Sequence, residues 1–355
     1  MDNLAHALTG IITASAIAPA QATDRRVRFF IAAALITNIP DIDIVLAVFG
    51  DWSLYHFHHR GFTHSLLGQL VFIPLSAWLW RRILGAGGAT GRPSWRDAVF
   101  VVVVLLWFSH YFLDYLTSYG TLFLYPFSFE RYSWPLMFII DPALWGLGAI
   151  GVLLLSLPFA RRASVRRGVA LVSLLSVIAL WGWQWQYKSA SALMALASRA
   201  GAELHLVNTY PQILAPMNWL VLLRGDDGVY HQALTRFDGV SPRSGSELTF
   251  VPGASEAGLP EVGYDRFCPE ASFSEAAQEK FAGFRRFAEY TACYQEAGRE
   301  DCRCVGLKYN LLLSPQLTRF SDVRIDRAGE LTAMPRSPVP QITEQVEGLF
   351  DRDGR

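Results

Sequence analysis

The sequence predicts a polytopic α-helical membrane bundle of about six spans over residues 1–187, followed by a soluble α+β domain over residues 188–355. Three observations predict it. Only 17% of the 355 residues are charged and 52% are hydrophobic, against about 25% charged in a typical soluble domain. The apolar residues are concentrated before Tyr187, in six runs that approach or reach the roughly 17–25 residues of a membrane-spanning helix. Arginines then fall in alternate connections between those runs.

The runs are Leu4–Ala20, Phe29–Phe49, Ser65–Leu84, Ala98–Leu116, Leu136–Phe159 and Val169–Tyr187. The first resembles a secretory signal, with Ala14-Ser15-Ala16 and Ala18-Pro19-Ala20 as cleavage-like sites. A signal opens on positive charge, however, and here the first charge is Asp2, so the run is read as a retained span. Arg25, Arg26 and Arg28 follow the first run, Arg81, Arg82, Arg92 and Arg96 the third, and Arg161, Arg162, Arg166 and Arg167 the fifth. The intervening connections hold only Arg60 and Arg131. Because basic residues gather on the cytoplasmic side, this pattern predicts a multi-pass membrane protein with its N-terminus and C-terminal domain outside the cytoplasm.

The C-terminal domain carries all four cysteines, Cys268, Cys293, Cys302 and Cys304, which suits disulfides in an oxidising compartment. Cys302 and Cys304 stand too close to bridge each other, so each is expected to pair with Cys268 or Cys293. Trp219–Leu223 and Val229–Phe237 read as strands around a turn at Arg224-Gly225-Asp226-Asp227-Gly228. Helical spacing of Phe281, Phe284, Arg285 and Ala288 predicts a helix from Ser274 to about Glu296. Val305–Leu313 and Ser321–Ile325 read as further strands, the second turning at Arg327-Ala328-Gly329. The balance of 31 basic and 31 acidic side chains gives no reason to expect nucleic acid as a partner.

Chemistry is concentrated in the membrane half. His56, His58, His59 and His64 fall within one stretch of ten residues that also holds Arg60, Thr63 and Ser65. Asp41 and Asp43 follow Pro40 in an apolar run, where an ionisable group costs about 2.5–3.5 kcal/mol and marks a functional site by default. His110 and Asp114 are four apart and share a helix face, and His6 lies near the start of the first run. Each has an ordinary explanation alone. His6 is an interfacial side chain, the aspartates cap a restarted helix, His110 and Asp114 form a structural pair, and His56 and His58 sit among headgroups. Together, the charge rule puts His6, Asp41, Asp43, His59, His64, His110 and Asp114 on one side of the membrane. Imidazole and carboxylate without thiolate suit zinc first, then manganese or iron. Seven ligands exceed one tetrahedral ion, so two or more ions are expected. Paired metals bridged by Asp41 or Asp43, with Arg60 holding a phosphoryl oxygen and Thr63 or Ser65 adding a hydrogen bond, suit hydrolysis of a phosphate ester.

His6, Pro40-Asp41-Ile42-Asp43, His59-Arg60-Gly61-Phe62-Thr63-His64-Ser65, His110-Tyr111-Phe112-Leu113-Asp114, Tyr119-Gly120-Thr121, Pro126-Phe127-Ser128 and Asp141-Pro142 occur in that order. This set resembles the YdjM-type family of inner-membrane proteins, described as metal-dependent hydrolases and in some accounts as LexA-binding and membrane-associated. The resemblance covers residues 1–185 and reaches the C-terminal domain only at Pro216-Met217-Asn218-Trp219. It implies a helical bundle around bound metal, related to the zinc-dependent phospholipase C and nuclease superfamily, with His6, Asp41, Asp43, His59, His64, His110 and Asp114 at the matching positions. A first membrane span in place of a processed N-terminus departs from that superfamily and removes a backbone-amine ligand.

The expectation is a membrane-bound, metal-dependent hydrolase with Asp41, Asp43 and Arg60 as catalytic residues. Its expected substrate is a phospholipid or lipid-linked phosphate at the outer face of the inner membrane, with membrane lipid as its partner. The alternative is a non-enzymatic membrane protein with a structural metal and an external binding domain. A metal transporter would need acidic ligands in the inner halves of the runs, which lack them.

Overall fold

The structure is a computed structural model. It describes residues 2–19, 26–45, 58–85, 93–197, 204–213, 215–226, 230–239, 242 and 246–250, and, further on, 264–267, 282, 284, 288–296, 302–307, 323–325 and 331–333. The chain divides into two compact units, Met1–Trp185 and Gln186–Arg355.

The first unit is helical. Asp2 starts α1 (Asn3–Ile17) by accepting the backbone N–H groups of Leu4 and Ala5. α2 (Arg26–Asn38) leads directly into a 3₁₀ segment, Ile39–Ile44, because Pro40 cannot continue an α-helix. A 3₁₀ turn, Phe62–His64, precedes α3 (Leu66–Gly85). Ser94 caps α4 (Trp95–Tyr115), whose turn Trp107–Tyr111 is π-helical. Asp141 caps α5 (Pro142–Ser156), and α6 runs over Ala163–Ala197. The core gathers Phe29, Ile36, Trp80, Val101, Leu105 and Tyr111 from α2, α3 and α4.

Two arginines tie off helix ends away from the histidines. Arg26 donates to the carbonyls of Ser156 and Leu157 at the end of α5. Arg166 is buried and donates to the carbonyls of Ser15 and Ala18 at the end of α1. Cations here satisfy orphan carbonyls and oppose the negative ends of the helix dipoles.

A six-span bundle is not what the chain forms. Among the described residues only two helices, α4 and α6, are long and apolar enough to cross a membrane. Hydropathy runs ignore the residues that stop helices. The run Phe29–Phe49 loses its helix at Asn38, before Pro40, and Leu4–Ala20 ends at Ile17, before Pro19. Leu136–Phe159 is helical only from Pro142 to Ser156, with Pro158 beyond. The resulting helices of 15, 13 and 15 residues fall short of the roughly 20 that a span requires. α3 has 20 residues, but Gln69, Arg81 and Arg82 dilute its apolar character. α6 exposes Leu171, Val172, Leu175 and Ile178, and α3 exposes Leu70, Val71 and Trp78.

The second unit's described part is two antiparallel sheets. One has the order β1 (Leu204–Gln212), β2 (Ala215–Gly225), β3 (Tyr230–Phe237) and β4 (Ser246–Phe250). β2 and β3 pair from Asn218↔Arg236 to Arg224↔Tyr230. Trp219, Leu220, Val221, Leu222 and Leu223 are all buried, so both faces of β2 are covered. The other has the order β5 (Tyr264–Phe267), β6 (Thr291–Glu296), β7 (Cys302–Gly306), β8 (Val323–Ile325) and β9 (Leu331–Ala333). The helix expected to reach Glu296 therefore stops earlier, since Thr291–Glu296 is a strand; residues 282, 284 and 288 are helical. Of the strand expected over Val305–Leu313, Val305 and Gly306 belong to β7, Leu307 does not, and residues 308–313 lie outside the described residues. No described cysteine is free and Cys304 is disulfide-bonded; Cys268 lies outside the described residues.

Gly68 sits where the 3₁₀ turn meets α3, and a Cβ there would overlap the Phe62 carbonyl oxygen, whereas one at Gly146 in α5 would meet nothing within 4 Å. Gly68→Ala is therefore expected to destabilise the protein by about 1–3 kcal/mol. Gly146→Ala should be neutral or stabilise by up to about 1 kcal/mol. Thermal unfolding midpoints of the two variants in detergent, compared with the parent, check the contrast.

Candidate metal centre

Asp41, Asp43, His64 and His110 each reach their place through a local irregularity. The 3₁₀ winding after Pro40 turns Asp41 and Asp43 inward together while Ile42 and Ile44 face out. His64 ends the short 3₁₀ turn, and Ser65 Oγ fixes the start of α3 by accepting the N–H of Gly68. His110 lies on the π turn, where the N–H of Phe112 reaches back to the carbonyl of Trp107, and Asp114 follows one turn on. His6 comes from the first turns of α1.

These elements bring five of the seven candidate ligands together. His64 Nε2 and His110 Nε2 stand 2.9 Å apart. Asp114 Oδ2 lies 3.1 Å from the first and 3.5 Å from the second, and Asp41 Oδ1 lies 3.4 Å and 3.7 Å from them. A tetrahedral zinc site with bonds of about 2.0–2.1 Å has ligand–ligand edges of about 3.3–3.4 Å. Five of the six edges among the four atoms thus fall at 2.9–3.7 Å, around the spacing of a tetrahedral coordination shell, and all four residues offer ligand atoms within 4.8 Å of one another. His6 Nε2 approaches from one side, 3.3 Å from Asp114 Oδ1 and 3.9 Å from Asp41 Oδ2. His6, His64, His110 and Asp114 have no accessible surface, and Asp41 is 7% exposed.

Hydrogen bonds around the cluster set the tautomers. Ser109 O only accepts, so His6 Nδ1 donates to it at 2.8 Å, and Nε2 carries the lone pair. Thr63 donates its hydroxyl to Asp43 Oδ2, so toward His64 it accepts from Nδ1–H at 2.8 Å, and in the neutral ring His64 Nε2 carries the lone pair. Both are the tautomer a metal ligand needs, held as such partners commonly hold it. Buried and without hydrogen-bond partners among the described residues are His6 Nε2 and Asp41 Oδ2 beside the quartet, and His110 Nδ1, the ring nitrogen other than the one in the quartet. Groups so buried are seldom left unmet unless a water or an ion completes them. The donor set and its spacing therefore fit a divalent ion.

Asp43 and His59 stand beside this quartet. His59 Nδ1 lies 2.9 Å from Asp43 Oδ1, and Asp43 Oδ2 accepts the N–H of Arg60 and the hydroxyl of Thr63. Asp41, Asp43 and His59 also lie close enough to form a second candidate metal-holding group. Arg60 places its guanidinium inside: Nη2 lies 2.8 Å from Asp114 Oδ1, and Nη1 donates to Thr117 Oγ1 and the Asp114 carbonyl. His58 rests near Tyr125, and His56 lies outside the described residues.

Burial pushes the His59 pKa down, against the pull of Asp43. Burial works the same way on His64, but hydrogen bonds to Asp114 and Asp41 outweigh it and hold its pKa above the usual imidazole value. The cluster therefore favours an added positive charge between those groups. Burial pushes the Tyr119 phenol up to about 12, so it stays neutral.

Several supporting residues were given no part in the site from the sequence. Ser109 orients His6 from the chain neighbour of His110. Tyr119 lies between two guanidinium groups, Arg60 at 5.0 Å and Arg131 at 4.9 Å from its ring centre. Arg131 also donates to the carbonyls of His59 and Gly120. The available signal was charge, since Arg131 was the other arginine besides Arg60 in its class of connections.

The family model described as YdjM inner membrane protein matches residues 1–190, which includes the whole first unit, and the chain belongs to that family. The inner membrane protein YbcI of Escherichia coli (strain K12) is 36% identical over 110 residues, or 30% of this chain and 59% of that protein. The chain thus spans about three fifths of the length of the curated relative it matches. No solved structure matches it.

The Arg60–Asp114 pair is fully buried, and removing one member of such a pair leaves a charge uncompensated, at a cost of about 3–5 kcal/mol. Arg60→Met should lower the thermal midpoint steeply. Arg60→Lys, with charge but no planar fork, should fall between it and the parent. A parent-like midpoint for Arg60→Met would show that Asp114 does not depend on the guanidinium.

Proposed function

We propose that this YdjM-family protein is a membrane-bound hydrolase of phosphate esters that works with a divalent metal, zinc first. One observation carries the reading: four ligand atoms from three separated segments meet at tetrahedral spacing, beside buried lone pairs that no described group satisfies. His64, His110, Asp41 and Asp114 would hold the ion, with His6 as the adjoining donor. Bound there, a divalent ion supplies Lewis acidity and lowers the pKa of a bound water. Arg60 holds Asp114 Oδ1 and so competes with any second ion on that side. It also keeps a fixed positive charge next to the centre.

The lipid assignment draws on the surface around the cluster. Ile42, Ile44, Val45, Phe62, Leu66 and Leu67 are exposed on the same 3₁₀ segments and helix start that carry Asp41, Asp43 and His64. An apolar rim of this kind suits substrates that arrive through the membrane, a phospholipid or a lipid-linked phosphate. The arginines at the ends of α1 and α5 lie away from His6, and by the charge rule they face the cytoplasm. On that support we place the site at the outer leaflet and the C-terminal unit outside the cytoplasm.

A second reading has its own support. The quartet is almost wholly buried, and closed four-ligand sites are the structural kind, whereas catalytic ones keep a position open to water. In that reading the metal holds the helices together and the second unit is a binding module.

Elemental analysis of the purified protein should find at least one divalent ion per chain, absent from His64→Ala and Asp114→Ala. A metal-free parent protein would sink both readings. The two part on turnover. The hydrolase reading expects the metal-loaded protein to cleave bis(p-nitrophenyl) phosphate or phospholipid in vesicles, and it expects both variants to lose that activity. Bound metal with no cleavage of either substrate would favour the structural reading. A reporter fused after Arg355 should be active only outside the cytoplasm.

A further inference from the structure

We propose that Asp43 and His59 form a carboxylate–histidine pair that moves the proton in the hydrolytic step, and that they do not build a second metal position. The proposal rests on the hydrolase reading above and assigns its acid–base group.

The geometry separates these two residues from the quartet. The Asp43 carboxylate already receives three donors. His59 Nδ1 is at 2.9 Å on Oδ1, and the Arg60 N–H and Thr63 hydroxyl are at 2.9 and 3.0 Å on Oδ2. A metal on Asp43 would have to displace one or more of them. Displacing Thr63 would release His64 Nδ1 as well, because that hydroxyl is what His64 donates to. Asp43 is thus committed to positioning.

His59 is the group it positions. Since the Asp43 carboxylate only accepts, His59 Nδ1 carries the hydrogen and Nε2 becomes the basic nitrogen. The ring is braced by Tyr119 at 5.2 Å between centres, and the His59 carbonyl is gripped by Arg131. Its side chain is 13% exposed, against 8% for Asp41 and 0% for His6 and His64. A substrate coming from outside therefore meets the His59 imidazole before it meets the buried quartet. The ring centres of His59 and His64 are 6.0 Å apart, which puts the base within one substrate group of the centre.

The step balances. As the oxygen of a water forms its bond to phosphorus, one O–H bond breaks and its proton passes to His59 Nε2. The imidazolium, stabilised by Asp43, then passes that proton to solvent water, and the alkoxide that leaves as the P–O bond breaks takes a proton from solvent on the opposite face. A positioned base of this sort commonly supplies about 100- to 10,000-fold in rate.

The test uses full-length protein in detergent, with metal content and cleavage of bis(p-nitrophenyl) phosphate measured on the same samples. His59→Ala and Asp43→Asn should keep the parent's metal content, and His59→Ala should lose about 100-fold or more in turnover. Added imidazole should restore part of the loss in His59→Ala and none of the loss in Asp43→Asn. If His59→Ala does not accumulate, His59→Gln is read in the same way. Loss of an ion from either variant would make that residue a ligand and overturn the proposal, as would unchanged turnover in His59→Ala. A parent protein that holds metal but cleaves nothing would instead take down the hydrolase reading itself, and with it the need for a base.

Discussion

Burying negative charge among helices is the constraint on which the first unit depends. Asp41, Asp43 and Asp114 are all within the interior, where an unmet carboxylate costs several kcal/mol. The three are met unequally. Asp114 has the Arg60 guanidinium, and Asp43 has three hydrogen-bond donors. Asp41 faces the imidazoles of His6, His64 and His110, and its Oδ2 has no hydrogen-bond partner among the described residues. The shortfall beside Asp41 is the physical content of the metal proposal, and it arises from an inventory of donors independent of any family resemblance.

The same constraint explains the backbone between His59 and His64. Arg60 adopts φ 59°, in the left-handed region, which costs a non-glycine residue of order 1–3 kcal/mol. Two anchors hold it there. Its N–H is bound by Asp43 and its guanidinium by Asp114. The left-handed turn lets one residue face both carboxylates, so the strain follows from satisfying two buried charges with one side chain and one peptide.

The polar set was legible in the sequence because histidine and aspartate are conspicuous in apolar runs. What the sequence did not reveal was the part each atom plays. The tautomer of His6 is set by Ser109, more than a hundred residues away, and no local pattern encodes that contact. Arg60 read as a contact for an external anion, yet its nearest anion is Asp114. The membrane spans were overcounted because hydropathy averages over proline, and Pro19, Pro40 and Pro158 each fall just beyond a helix end. In the second unit the buried strand at Trp219–Leu223 was plain from its unbroken apolar run. The helix read toward Glu296 overran because the spacing of Phe281, Phe284 and Ala288 sets a face but no stop. β-branched Thr291 begins the strand.

The π turn at Trp107–Tyr111 has a consequence for how this helix can vary. One extra residue per turn shifts the angular phase of everything after it. The part of α4 that packs Val101, Val102 and Leu105 into the core and the part that carries His110 and Asp114 answer to different clocks. Each half can then be tuned for its own surroundings, and the apolar half can drift in sequence without rotating the two polar side chains. Deleting a single residue there would bring the halves back into step and swing both side chains off their shared target.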